Sequence, residues 1–173
     1  MTFVSSLDLL HQRLQKLVTE LNGLRTMVME DKPDDSSAQP DAIGEIADDL
    51  LGWLQESLST CQQARKAVDY PLNLALAQHQ LYQCQNSFDR VLHRFFVELA
   101  RYDRILELVR VGRSRGSAWQ RWSTAVRRTL DACYLPLFDV HSAFRLCWQE
   151  FMERGASVYL SAHAITIHLA KGS

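Results

Sequence analysis

Residues 7–28, LDLLHQRLQKLVTELNGLRTMV, decide the fold class. Leu7, Leu10, Leu14, Leu17, Leu21, Leu24 and Val28 recur at alternating intervals of three and four, which is the a/d seam of an amphipathic helix that packs on other helices. A strand would alternate at every second residue, and this stretch does not. Ser5 or Ser6 supplies an N-cap, so the seam predicts a first helix over about residues 5–30. Behind it, residues 31–40, DKPDDSSAQP, form an exposed polar loop, because acids, serines and prolines cannot continue an apolar stripe.

Working outward, a second helix is predicted from Pro40 or Asp41, with Ile43, Ile46, Leu50, Leu54, Leu58, Cys61 and Val68 on one face. Asp41, Glu45, Asp48 and Asp49 crowd its first turns, where carboxylates complement the positive end of the helix dipole. Pro71 ends it, lacking an N–H and restricting the residue before it. A long third helix follows, with Leu74, Leu81, Phe88, Phe95, Tyr102 and Val109 at intervals of seven and Cys84, Val91, Leu99 and Leu106 between them. Gly112 and Gly116 bracket a reversal. The fourth helix carries Trp119, Trp122, Val126, Leu130, Cys133, Leu137, Val140, Phe144, Cys147 and Phe151, and Pro136 is expected to kink it without breaking its phase.

The final apolar stretch, GASVYLSAHAITIHLA, supports two readings. Val158, Ala162, Ile165 and Leu169 continue the helical seam, whereas Ile165, Ile167 and Leu169 alternate like a strand; a short C-terminal helix is the favoured one. The stretch holds no Asp, Glu, Lys or Arg, yet it falls short of the roughly 20 residues that span a bilayer, and His163 and His168 weigh further against a membrane.

The fold class predicted is therefore all-α: an antiparallel bundle of four main helices, two shorter and two longer, forming one domain over residues 1–173. At 1.5 Å per residue the first two helices would reach about 40 Å and the next two about 55–60 Å. On that arithmetic residues 98–130 would project as a hairpin tip beyond the shorter pair. A chain of 173 residues with 47% hydrophobic content and only 7 Gly and 4 Pro is long and apolar enough to bury such a core without a metal or disulfide. Its net charge of −1 argues against a chain that coats nucleic acid by global basicity.

Charge is nevertheless unevenly spread. Arg101, Arg104, Arg110, Arg113, Arg115, Arg121, Arg127 and Arg128 face only Glu98, Asp103 and Glu107 in the tip, while the first sixty residues hold eleven acids and four bases. Such asymmetry marks either a basic binding site or acidic and basic faces that meet within a bundle or between subunits. Trp119 and Trp122 lie in the same tip. They either pack on Leu106 and Val109 across the hairpin or stand exposed as aromatic anchors beside the arginines.

Catalytic and metal motifs are missing. No H-E-x-x-H, Walker, dinucleotide-binding, EF-hand or G-x-S-x-G pattern occurs, nor the Glu-x-x-His pairs of di-metal bundles. Asp139 and His141, like Asp131 and Cys133, are two residues apart and point to different helix faces. His79 and His93 stand alone. Cys61, Cys84, Cys133 and Cys147 have no metal-finger spacing, and each falls on an apolar seam, as reduced core thiols do. The first ten residues lack the basic start and unbroken apolar run of a secretory signal, so a cytoplasmic location is expected.

These readings predict no catalytic residue, no cofactor and no metal. They predict a non-enzymatic helical protein–protein interaction module, an adaptor or assembly subunit that binds another protein or itself, with the eight arginines and two tryptophans of the tip as the partner-binding set. The alternative is a nucleic-acid-binding subunit that sets those arginines on phosphates and Trp119, Trp122 or Tyr102 on unpaired bases.

Overall fold

The computed structural model describes residues 2–33, 39–69, 73–102 and 117–171; for 39–41, 100, 117 and 155–171 the description is of the backbone alone. The described residues form four α-helices, α1 (Phe3–Met29), α2 (Gln39–Asp69), α3 (Leu74–Val97) and α4 (Ser117–Lys171), with a short 3-10 turn at Leu99–Arg101 and no strand among them.

The leucine seam of α1 packs as its spacing dictates. All seven seam residues are buried, and each fully buried leucine contributes about 1.5–3 kcal/mol by leaving water. The helix starts earlier than Ser5 or Ser6: Thr2 is the N-cap, its Oγ1 accepting from the Ser5 N–H at 3.2 Å, while Ser6 Oγ donates to the Thr2 carbonyl at 3.0 Å. The extra turn lets Phe3 pack edge-on against Phe151 of α4, ring centroids 5.6 Å apart.

Cross-helix contacts fix an up-down-up-down arrangement. Arg65 of α2 donates to Asp8 of α1 at 3.1 Å and Arg25 of α1 pairs with Asp48 of α2, so these two helices run antiparallel. Ser57 Oγ donates to the Cys84 carbonyl at 2.9 Å, and Arg94 meets Asp49 at 3.3 Å, setting α3 antiparallel to α2. Arg13 Nη1 donates to the Asp139 carbonyl at 2.8 Å, and Phe88 packs on Phe144 with centroids 5.4 Å apart, closing α4 against α1 and α3. Two of the acids in the first turns of α2, Asp48 and Asp49, thus meet bases of the neighbouring helices within the bundle.

The four sides of the bundle are not equally close. Helices α2 and α3 run closest, and α1 lies close to both α2 and α4, whereas the α3 and α4 backbones approach over only a short length. Side-chain size explains the difference. Small Ser57, Cys61, Ala64, Cys84 and Ser87 are buried along the faces where α2 and α3 meet, while Phe88, Phe95, Phe144, Tyr134 and Trp148 fill the α3/α4 seam.

The helix lengths depart from the expected pattern of two shorter and two longer. The third helix ends at Val97: Glu98 is its C-cap, its N–H bonded to the Arg94 carbonyl, and the ladder then tightens into a 3-10 turn in which Arg101 N–H reaches the Glu98 carbonyl at 3.3 Å. With 24 residues α3 is the shortest of the four, and α4 with 55 is the longest. Helix α4 passes through Pro136, whose missing N–H would have bonded the carbonyl of Ala132; that residue is exposed, so water can serve the carbonyl. It also continues to Lys171 as one helix, so the helical reading of residues 155–170 holds for the backbone, without a separate C-terminal element.

Candidate interaction surface

The two tryptophans of the predicted partner-binding set do not stand exposed. Trp119 and Trp122 are each only 5% exposed, their rings edge-to-face at 5.4 Å. Trp122 Nε1 donates to the Met27 carbonyl at 2.9 Å, so the end of α1 reaches the level at which two helices alone were expected. Residues 103–116, the centre of the expected hairpin tip, lie outside the described residues; the described parts of 98–130 are a 3-10 turn and the first turns of α4, the latter packed against α1. Arg101, Arg121 and Arg128 are exposed, Arg127 is half-buried with an interaction of its own, and Arg104, Arg110, Arg113 and Arg115 lie outside the described residues, as do Leu106, Val109 and both bracketing glycines.

The remaining chemistry is quiet. His79, His93 and His141 are exposed and separate, and among the described residues no group of three His, Cys, Asp or Glu is placed to hold a metal ion. All four cysteines are free and buried. Burial pushes the Cys133 thiol up to about 12, helped by the charge of Glu20, and raises Cys84 and Cys147 as well, which suppresses the nucleophilic thiolate. A cleft of about 430 Å³ between α1 and α2 is lined by Leu7, Asp8, His11, Cys61, Gln62, Arg65 and Lys66. Most of its polar groups serve one another: Arg65 bonds Asp8 and Asp69, and the Gln62 amide meets the His11 ring at 3.2 Å.

What the structure exposes instead is apolar. Tyr82 (56%), Phe96 (43%) and Val97 (37%) on α3, and Leu135 (66%), Phe138 (59%) and Met152 (68%) on α4, are large side chains left in water. Most of them border the wide α3/α4 seam. Phe96 touches Tyr134 at a centroid distance of 5.7 Å, and Tyr82 lines a cleft with Trp148, whose Nε1 donates to Gln85 Oε1 at 2.5 Å. Phe138 and Met152 lie one helical turn beyond Tyr134 and Trp148 on the same side of α4. A seam wedged open by rings leaves its flanking residues without a neighbour to cover them, and aromatic and methionine side chains displayed this way are those enriched in protein interfaces. The sequence carries the signal as apolar residues displaced from the a/d seam, at Tyr82, Phe96, Leu135, Phe138 and Met152.

No family model, curated protein or solved structure matches the chain. No helix among the described residues is long and apolar enough to cross a membrane.

Proposed function

We propose that this chain is a non-enzymatic helical protein–protein interaction module, an adaptor or assembly subunit acting in the cytoplasm. The observation that supports the reading is the exposed apolar border of the α3/α4 seam, on a bundle whose a/d core is already closed within one chain. Apolar side chains kept in water contribute nothing to the stability of the monomer, and covering them is worth about 25 cal/mol per Å² to a complex. The test is affinity capture on the immobilised full chain, comparing wild type with Leu135→Glu/Phe138→Glu. Both positions are exposed, so the variant is expected to keep the wild-type circular dichroism and melt. The expected result is at least one protein retained by wild type and lost by the variant; identical retained sets would remove the α3/α4 border as the interaction surface.

A second reading, a nucleic-acid-binding subunit, is supported by Arg121 and Arg128, exposed seven residues apart on one stripe of α4. Guanidinium groups so placed suit phosphates two turns apart. Stacking by Trp119 and Trp122 is no part of it, since both are buried. Binding of a single-stranded oligonucleotide should then fall steeply with salt and disappear in Arg121→Glu/Arg128→Glu; binding that ignores both would end this reading.

A further inference from the structure

We infer that the α3/α4 face is self-complementary and pairs two copies of this chain about a two-fold axis lying along the seam. The inference rests on the interaction-module reading and names its partner.

Three rungs of exposed residues flank the seam, one member on each helix: Phe96 and Phe138, Asp89 and Arg145, and Tyr82 and Met152. On each helix the members stand seven residues apart, about 10.5 Å or two turns, so they form one straight stripe per helix. The antiparallel register, set by Phe88 on Phe144 and Trp148 on Gln85, brings the members of each rung to within about one helical turn of each other along the seam. Two of the α3 members meet α4 directly: Phe96 contacts Tyr134, and Tyr82 shares a cleft with Trp148, with Asp89 midway between them on the stripe. On α4, Phe138 and Met152 follow those contacts by one turn, with Arg145 midway between them. All six side chains are exposed, and the described residues supply no ion pair for either Asp89 or Arg145.

The chemistry of the rungs selects the occupant. An isologous contact requires that a surface match its own rotated image. An axis parallel to the helices lays α3 of one copy over α4 of the partner, rung on rung: apolar on apolar at both ends, and Asp89 on Arg145 twice in the middle. An in-plane axis across the helices would instead set Asp89 on Asp89 and Arg145 on Arg145, which like-charge repulsion forbids. A foreign helix laid in the seam would need no such agreement between the two members of every rung.

Area sets the strength. An aromatic side chain carries about 200 Å², so at their exposures the four apolar groups offer on the order of 400 Å² per copy, against about 800 Å² in a standard stable complex. Leu135 and the stems of the charged pair extend the patch, and the dimer is one that dissociates on dilution.

The test is sedimentation equilibrium of the full chain from micromolar to millimolar concentration. Wild type should show a monomer–dimer equilibrium. Asp89→Arg or Arg145→Asp alone places two like pairs in the contact and should weaken the dimer by about 10- to 100-fold. Mixing the two single variants restores an opposite pair at both places, so the mixture should dimerise as wild type does, a rescue that damage to the fold cannot produce. A wild type that stays monomeric throughout, or a dimer indifferent to both single variants, overturns the inference. If the chain is monomeric but still captures a foreign protein in a Phe138-dependent way, the interaction-module reading survives and the second copy is refuted; if capture is also indifferent, both fall.

Discussion

Trp122 offers the most direct measure of how the bundle closes at the α1 end. Its ring is 5% exposed, and its Nε1 donates at 2.9 Å to the Met27 carbonyl. Met27 lies in the last turn of α1, where carbonyls have no donor from within the helix; Glu30 N–H serves Thr26, and the indole serves Met27. Trp122→Ala therefore removes a buried ring, worth about 3–5 kcal/mol, and leaves a carbonyl without its donor, worth about 1 kcal/mol more. In a chain of this length each kcal/mol moves Tm by about 2–4 °C, so a fall of about 10–20 °C is expected. Trp122→Phe keeps most of the ring and loses the N–H, and should cost about 1–3 kcal/mol. Urea unfolding followed by circular dichroism, with thermal melts alongside, measures both. A cost below about 1 kcal/mol for Trp122→Ala would refute the packed end and restore an exposed anchor. So would a variant that keeps its stability but loses its partners.

Gly23 and Gly52 are exposed mid-helix positions with nothing within 4 Å of an added Cβ, so Gly23→Ala and Gly52→Ala should each stabilise the chain by about 0.5–1 kcal/mol in urea unfolding. Gly44→Ala should gain less, because its Cβ would come 2.9 Å from Met29 Cγ and displace that exposed side chain. Burial holds Cys133 protonated up to about 12 in the folded state, while the unfolded thiol ionises from about 9; the unfolded chain then binds fewer protons, and stability falls as pH rises through that window. Urea midpoints between pH about 8 and about 10.5 should drop less steeply in Cys133→Ala than in wild type, and equal slopes would contradict the buried thiol.

The seams were legible because burial follows periodicity. Every residue of the leucine seam predicted to face the core does so, as do Ile43, Ile46, Leu50, Leu54, Cys61 and Val68 of α2. Boundaries were less legible, for physical reasons. Thr2, Ser5 and Ser6 are all competent caps, and the choice of Thr2 accompanies the contact of Phe3 with Phe151, a long-range term absent from the local pattern. The end of α3 carries no glycine or proline. A 3-10 turn also brings every third residue to one side, so buried Leu99 and half-buried Tyr102 keep an apolar spacing that an uninterrupted α-helix would equally produce.

The candidate surface was hidden for a different reason, which lies between helices and not along them. An apolar residue beside an a/d seam is covered when the neighbouring helix is close and exposed when it is far, and that distance depends on the side chains of both partners. Between α2 and α3 the buried Ser57, Cys61, Cys84 and Ser87 allow close approach, and the Ser57 and Cys84 side chains each reach the other's carbonyl. On the opposite side of α3, Phe88 against Phe144 and Phe95 against Tyr134 hold α4 away. The same helix thus has one sealed flank and one open flank, although its periodic pattern does not distinguish them. Tyr82 and Phe96 lie toward the open one. The rings that wedge the core apart thereby determine which apolar residues remain available to a partner, and the size of the core residues becomes a specification of the surface.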